Sequence, residues 1–142
     1  LDLTPADTSS YAALDLADAL RGALERSGLH ASVVALESPL DPDADSIAAL
    51  SAAATSGSVA VICTVDALAH PGQGRLAEAL VAHDIPTIGV ALRTPFDVLA
   101  YPAVGTYACT YGIQPPNLEA MAGALLGRIP FRGRLPVRLS LG

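Results

Sequence analysis

Apolar positions along this chain follow two rhythms that take turns. Leu1–Thr4 alternates apolar and polar residues as a short strand would, and Pro5–Ser10 is rich in turn and capping residues. Ala13, Leu16, Ala17, Leu20, Ala23 and Leu24 then recur at helical spacing; they predict a helix that ends near Arg26, where Ser27 and Gly28 stop it. Ser32–Leu36 is a short run rich in valine and predicts a strand, and Ser46–Thr55 predicts a helix with Ile47 and Leu50 turned inward. Ser58–Thr64 and Thr87–Leu92 are near-continuous apolar runs, the pattern of strands covered on both faces of a parallel sheet. Between them Val65–Gly74 reads as a loop and Arg75–His83 as a helix. Arg93, Thr94 and Pro95 break the second of these runs. Phe96–Ala100 then predicts one helical turn, Gly105–Thr110 a strand, and Leu118–Leu126 a helix capped by Asn117 and stopped by Gly127. Pro136–Leu141 alternates as a final edge strand, whose opening proline suits a strand start.

Alternating strands and helices predict an α/β domain spanning residues 1–142. The expected architecture is an open, mostly parallel sheet with helices on both faces. A flavodoxin-like strand order 2-1-3-4-5 and an extra C-terminal edge strand are expected.

Composition narrows the function classes. With 51% hydrophobic and 15% charged residues, the 142-residue chain has the make-up of a folded domain with a real core. Its net charge of −6 argues against a nucleic-acid partner, because a phosphate backbone must be neutralised by cations. All eight basic residues are Arg. No apolar run reaches the length of a membrane span. Cys63 and Cys109 each lie inside an apolar run and read as small buried hydrophobes, not as a zinc site. Opening on Leu1 within a strand pattern, the chain reads as a piece of a longer protein, so the compartment stays unassigned.

Chemistry is sparse. Open α/β sheets bind ligands where strands end, which singles out Pro5–Ser10, Val65–Gly74 and Arg93–Asp97. Neither the P-loop nor the dinucleotide fingerprint is present, and Gly72-x-Gly74 is too short to stand for either. Asp7, Thr8, Ser9 and Ser10 read as helix-capping residues. Asp41, Asp43 and Asp45 lack the glycine and the closing glutamate of a calcium loop; they read as a Pro-Asp turn capping the next helix. His70 follows Asp66 and precedes Gln73 and Arg75, where an imidazole near a carboxylate can act as a general acid or base. No nucleophile stands near it in sequence, and an exposed loop histidine is the plainer expectation. Arg93 and Asp97 follow a buried strand. As a pair they would either clamp a substrate or neighbouring domain or brace their own loop.

Three stretches carry a resemblance. Ala91–Pro102 (ALRTPFDVLAYP), Thr106–Gly112 (TYACTYG) and Leu118–Val137 (LEAMAGALLGRIPFRGRLPV) resemble the C-terminal α/β domain of family 3 glycoside hydrolases. The Gly133-Arg134-Leu135-Pro136-Val137 close is the most specific part, and the Arg93-Thr94-Pro95-Phe96-Asp97 form is most similar to the bacterial β-N-acetylhexosaminidase branch. The resemblance implies a parent enzyme that hydrolyses O-glycosidic bonds with retention, using an N-terminal (β/α)8 barrel that holds the catalytic groups. In the β-glucosidase branch the C-terminal domain lends a glutamate after its third strand; here Val65–Ala69 contains none. The implied role is an accessory domain without catalytic residues of its own and without a cofactor. Asp66, His70, Gln73, Arg75, Arg93 and Asp97 are its candidates for contact with the barrel or with carbohydrate at the rim. The competing class is an independent flavodoxin-like module that binds a small molecule. With no Trp and 4% aromatic residues, stacking partners for a flavin are few.

Overall fold

Three of the apolar runs pair into an open parallel sheet. The computed structural model of the protein describes residues 5–139, with side chains from Leu16 onward. Strands β1 (Ala60–Thr64), β2 (Thr87–Ala91) and β3 (Thr106–Cys109) lie in sequence order. The register sets Ala60 beside Thr87 and Ile88 beside Thr106. The helices are α1 (Pro5–Ser27), α2 (Ala44–Ala54), α3 (Pro71–Ala82) and α4 (Pro115–Leu125), and a 3-10 turn covers Pro95–Ala100.

Alternation along the strands sorts the core into two halves, since successive side chains point to opposite faces. On one face Ala60 and Ile62 pack with Leu76, Ala77 and Leu80 of α3, Val98 of the 3-10 turn, Tyr101, and Ile47 and Leu50 of α2. On the other, Val61, Cys63, Ile88, Val90 and Leu92 pack with Leu16, Ala19 and Leu20 of α1 and with Leu118, Met121 and Ala122 of α4. Helices cover both faces, as expected.

Several expectations are corrected. Ser32–Leu36 is not a strand; it runs as coil, with Val34 78% exposed. A β-branched sequence becomes a strand only where a neighbour supplies ladder hydrogen bonds. Its carbonyl at Val33 is met instead by Arg21 Nε at 3.2 Å. Residues 136–139 form no strand either, and the rest of the expected edge strand, like Leu1–Thr4, lies outside the described residues. Order 2-1-3-4-5 therefore finds three strands among the described residues, not five.

Helix starts also move. α1 begins at Pro5, so the expected Pro5–Ser10 loop is helical backbone. α3 begins at Pro71 rather than Arg75, because proline at the first position gives up only an N–H that has no helical partner anyway. α4 likewise starts on Pro115 with Gln114 at the cap; Asn117 sits inside the helix and donates its side-chain N–H to the Thr110 carbonyl at 3.2 Å. The turn around Asp41–Asp45 caps two helices. Asp43 accepts from Ser46 N–H at 2.9 Å, a bond that lowers the Asp43 pKa, and Asp41 accepts from Gly72 N–H at 2.6 Å at the start of α3.

The two glycines of that start have a packing role. A Cβ on Gly72 would run into the Pro42 carbonyl, and one on Gly74 into the Ala100 carbonyl. They let α3 lie directly against two backbones.

Candidate functional site at the strand ends

The carboxyl end of β1 leads into a loop, 65–70, whose shape is held by two buried side chains. Gln73, on the first turn of α3 and 7% exposed, spans Val65 on both sides: its Oε1 accepts from Val65 N–H and its Nε2 donates to Val65 C=O, each at 2.9 Å. Asp97, on the 3-10 turn and 1% exposed, holds the other flank. Its Oδ1 accepts from Ala67 N–H at 3.2 Å and its Oδ2 from the Thr64 hydroxyl at 2.8 Å. Thr64 Oγ1 is also 2.8 Å from the Tyr101 hydroxyl. Having one proton, already given to Asp97, Thr64 accepts here, so the chain of donation runs from Tyr101 to Thr64 to Asp97.

Between these anchors, Asp66 is forced into left-handed backbone at φ 51°. That conformation costs about 1 kcal/mol or more for a non-glycine residue and persists where surroundings dictate it. It delivers the Asp66 carboxylate to Arg93, which follows β2; Arg93 Nη1 donates to Asp66 Oδ2 at 3.0 Å. Both side chains keep roughly half their exposure. The result is an ion pair presented at the surface on a loop with a rigid underside.

Burial sets the electrostatics. Desolvation raises the Asp97 pKa above its ordinary value, and the bonds from Thr64 and Ala67 oppose that rise. Desolvation likewise raises Tyr101, again against the bond with Thr64. The Cys63 residue keeps some exposure, yet desolvation of its thiol pushes it up to about 12.

The structure thus gathers four of the six singled-out residues at one corner but pairs them differently. Arg93 meets Asp66 and Asp97 turns inward, so Arg93 and Asp97 are not paired with each other; Asp97 braces loop 65–70 instead. Gln73 is a backbone brace. His70 caps the start of α3 without a side-chain cap bond, and Arg75 is exposed on that helix. The Asp66 carboxylate is engaged by Arg93 rather than by His70. Thr64 and Tyr101 join this corner through their hydroxyls. Thr64 closes an apolar strand and Tyr101 ends a helical turn, and neither position signals that their hydroxyls meet.

What the corner offers chemically is an exposed ion pair with Leu68, Phe96 and Tyr111 exposed on the three strand-end connections. Surface depressions lie elsewhere. One of about 460 Å³ is lined by Val59, Ile85, Thr87 and Thr106 at the opposite ends of the strands. Another, of about 340 Å³, lies between α1 and α4. Among the described residues no cluster of metal-ligating side chains occurs, and no helix is long and apolar enough to cross a membrane.

No protein-family model matches the sequence. A structure of a family 3 β-N-acetylglucosaminidase from Paenibacillus sp. str. FPU-7 matches over 89% of this chain, with TM-score 0.77 and 29% identity. The chain resembles the family 3 glycoside hydrolases. A fungal multi-domain family 3 β-N-acetylglucosaminidase, one with a GCN5-related glucosamine N-acetyltransferase region, matches over 87% of the chain with TM-score 0.64 and 26% identity. A curated β-N-acetylglucosaminidase/β-glucosidase of Cellulomonas fimi is 40% identical over 55 residues, 39% of this chain. The family 3 likeness is to a part of each relative. The chain spans 23% and 14% of the two solved chains and 10% of the curated relative.

Proposed function

We propose that this chain is the C-terminal accessory domain of a family 3 β-N-acetylglucosaminidase and docks by its strand-end corner against a catalytic (β/α)8 barrel. The observation that carries the reading is the fold match to the Paenibacillus enzyme over 89% of this chain but only 23% of that one.

The corner's chemistry supports it. A retaining glycosidase needs two carboxyl groups facing the scissile bond. Asp97 is 1% exposed and committed to Thr64 and Ala67, so it does not face a sugar. Asp66 faces solvent but is tied to Arg93. In this reading Leu68, Phe96 and Tyr111 supply apolar contact with the barrel, and Asp66 and Arg93 supply polar contact at the rim, with carbohydrate within their reach. His70 and Arg75 lie at its margin.

Two assays test this. The isolated chain should show no turnover of a chromogenic β-N-acetylglucosaminide; appreciable specific turnover would end the non-catalytic reading. A chimera that replaces the matching region of the Paenibacillus enzyme with this chain should be more active than that enzyme with the region removed. Equal activity of the two would refute the docking role. A visible absorption band of bound flavin in the purified chain would favour the small-molecule module instead.

A further inference from the structure

Charge is divided along this chain in a way the strand-end corner does not use. Every acidic residue lies at or before Glu119, whereas Arg128, Arg132, Arg134 and Arg138, half of the eight Arg, lie beyond it. No Arg occurs between Arg26 and Arg75, and Glu37, Asp41, Asp43 and Asp45 fall within that gap. The chain thus has an acidic stretch, 29–45, and a basic one, 128–139. Apart from the first residues of α2, both run as irregular backbone.

Each stretch is tied down towards both ends. Arg21 Nε holds the Val33 carbonyl to α1, and Asp41 and Asp43 accept from Gly72 N–H and Ser46 N–H. Arg128 Nη1 donates to the Ala23 carbonyl at 3.3 Å and Arg128 N–H to the Gly123 carbonyl at 2.8 Å, while Leu139 packs against the core around Leu76 and Leu80. Between these ties the side chains face solvent. Residues 127–138 are all exposed, with Ile129, Phe131, Leu135 and Val137 set among the Arg. Leu29, Val34 and Leu36 are exposed ahead of the carboxylates. Among the described residues no ion pair joins one stretch to the other; the pairs are Arg21–Asp18 and Arg93–Asp66. Arg mixed with large apolar side chains suits a protein interface, and a segment already held in place loses little freedom when covered.

A partner for the basic stretch has to be acidic and to offer apolar surface. The acidic stretch of a second copy has both properties. We propose that two copies of this chain associate through these stretches, with Arg132, Arg134 and Arg138 of each facing Glu37 and Asp45 of the other. Under a two-fold axis the match is made twice, since each copy supplies both stretches. The contact covers the apolar side chains of both stretches at once. An anionic lipid surface would satisfy the Arg and leave the acidic stretch, with its exposed Val34 and Leu36, uncovered. None of these residues belongs to the strand-end corner, so the association is independent of the function proposed above.

Analytical ultracentrifugation of the full chain tests this. A dimer is expected at about 100 µM chain in about 0.05 M salt, and a monomer in about 0.5 M salt, where screening shortens the reach of charge to roughly 4 Å. Reversing the basic stretch (Arg132→Glu, Arg134→Glu and Arg138→Glu together) should weaken the dimer about tenfold or more, because like charges then face each other. Reversing the acidic stretch (Glu37→Arg with Asp45→Arg) should do the same. These positions are exposed, and circular dichroism checks that both variants fold; Glu37→Arg alone serves if the change at Asp45 disturbs α2. Mixed together, the two variants regain opposite charge at both contacts and should form a heterodimer within about threefold of the unaltered affinity. A mixture that stays monomeric would overturn the proposal, as would a dimer that neither salt nor reversal of the basic stretch weakens. A monomer in low salt overturns it as well, and if that monomer binds vesicles of anionic phospholipid, the Arg belong to a lipid contact instead.

Discussion

Asp97→Ala should be among the most damaging single substitutions in this domain. The side chain is 1% exposed and accepts hydrogen bonds from the Thr64 hydroxyl and the Ala67 N–H. Truncation leaves both donors facing an apolar gap, and a buried unsatisfied group costs about 1–3 kcal/mol. Losing the carboxylate also relieves its own desolvation, so the net loss should fall near 2–4 kcal/mol, a large share of the roughly 5–15 kcal/mol that holds a domain together. Asp97→Asn keeps an oxygen for Ala67 and an N–H that Thr64 can accept, and should cost about 1 kcal/mol. Urea unfolding followed by circular dichroism measures both, provided the slope m is unchanged.

The pH dependence has a definite sign. Desolvation raises the folded-state pKa of Asp97 above the unfolded value of 3.8. Between 3.8 and that raised value, the folded chain holds a proton that the unfolded chain has lost. Stability contributed by this group therefore falls as pH rises through that window. The advantage of the unaltered chain over Asp97→Asn should narrow across it and stay narrowed at neutral pH. An Asp97→Ala loss below about 1 kcal/mol would show that the buried bonds do not hold the loop. An advantage that widens with pH would refute the desolvation account.

Other expectations concern separate parts of the molecule. Gly89→Ala places a Cβ 2.9 Å from Tyr101 Cε2, on a ring fully buried and tethered through its hydroxyl, and should cost about 1–3 kcal/mol; a melting temperature unchanged by calorimetry would mean the ring moves aside freely. The Cys63 thiol, pushed up to about 12 by desolvation, should resist a disulfide reagent at pH 8 until urea unfolds the chain, and mass spectrometry of labelled peptides would expose any native-state reaction. Arg93→Ala removes a pair that solvent already screens, so the isolated chain should lose less than about 1 kcal/mol in urea unfolding. The same change should lower the activity of the Paenibacillus chimera; full activity would remove Arg93 from the docking face.

Helical spacing and apolar runs were enough to find the elements that make the described core. Each carries its own signal: α1 in its apolar stripe, β1 and β2 in their unbroken hydrophobicity, the ends of α1 and α4 in Gly28 and Gly127, both at positive φ. Signals of this sort are local and survive without knowledge of neighbours. Ser32–Leu36 shows the limit, because strand propensity becomes a strand only beside another strand. The candidate site was visible as residue types and hidden as pairings. Arg93 and Asp97 are close in sequence, yet one reaches outward to Asp66 and the other inward to Thr64.

By itself, then, the sequence determined the α/β class, the two-sided core and the resemblance to family 3 glycoside hydrolases, since all three reside in the order and polarity of residues. Only the tertiary structure decided what the polar residues at the strand ends do. Packing of α3 and the 3-10 turn against β1 made Gln73 and Asp97 into braces, forced Asp66 to positive φ and left Arg93 as its exposed partner. The physical reason is that a hydrogen bond depends on distances across the fold, and those are set by how helices settle on the sheet, not by spacing along the chain.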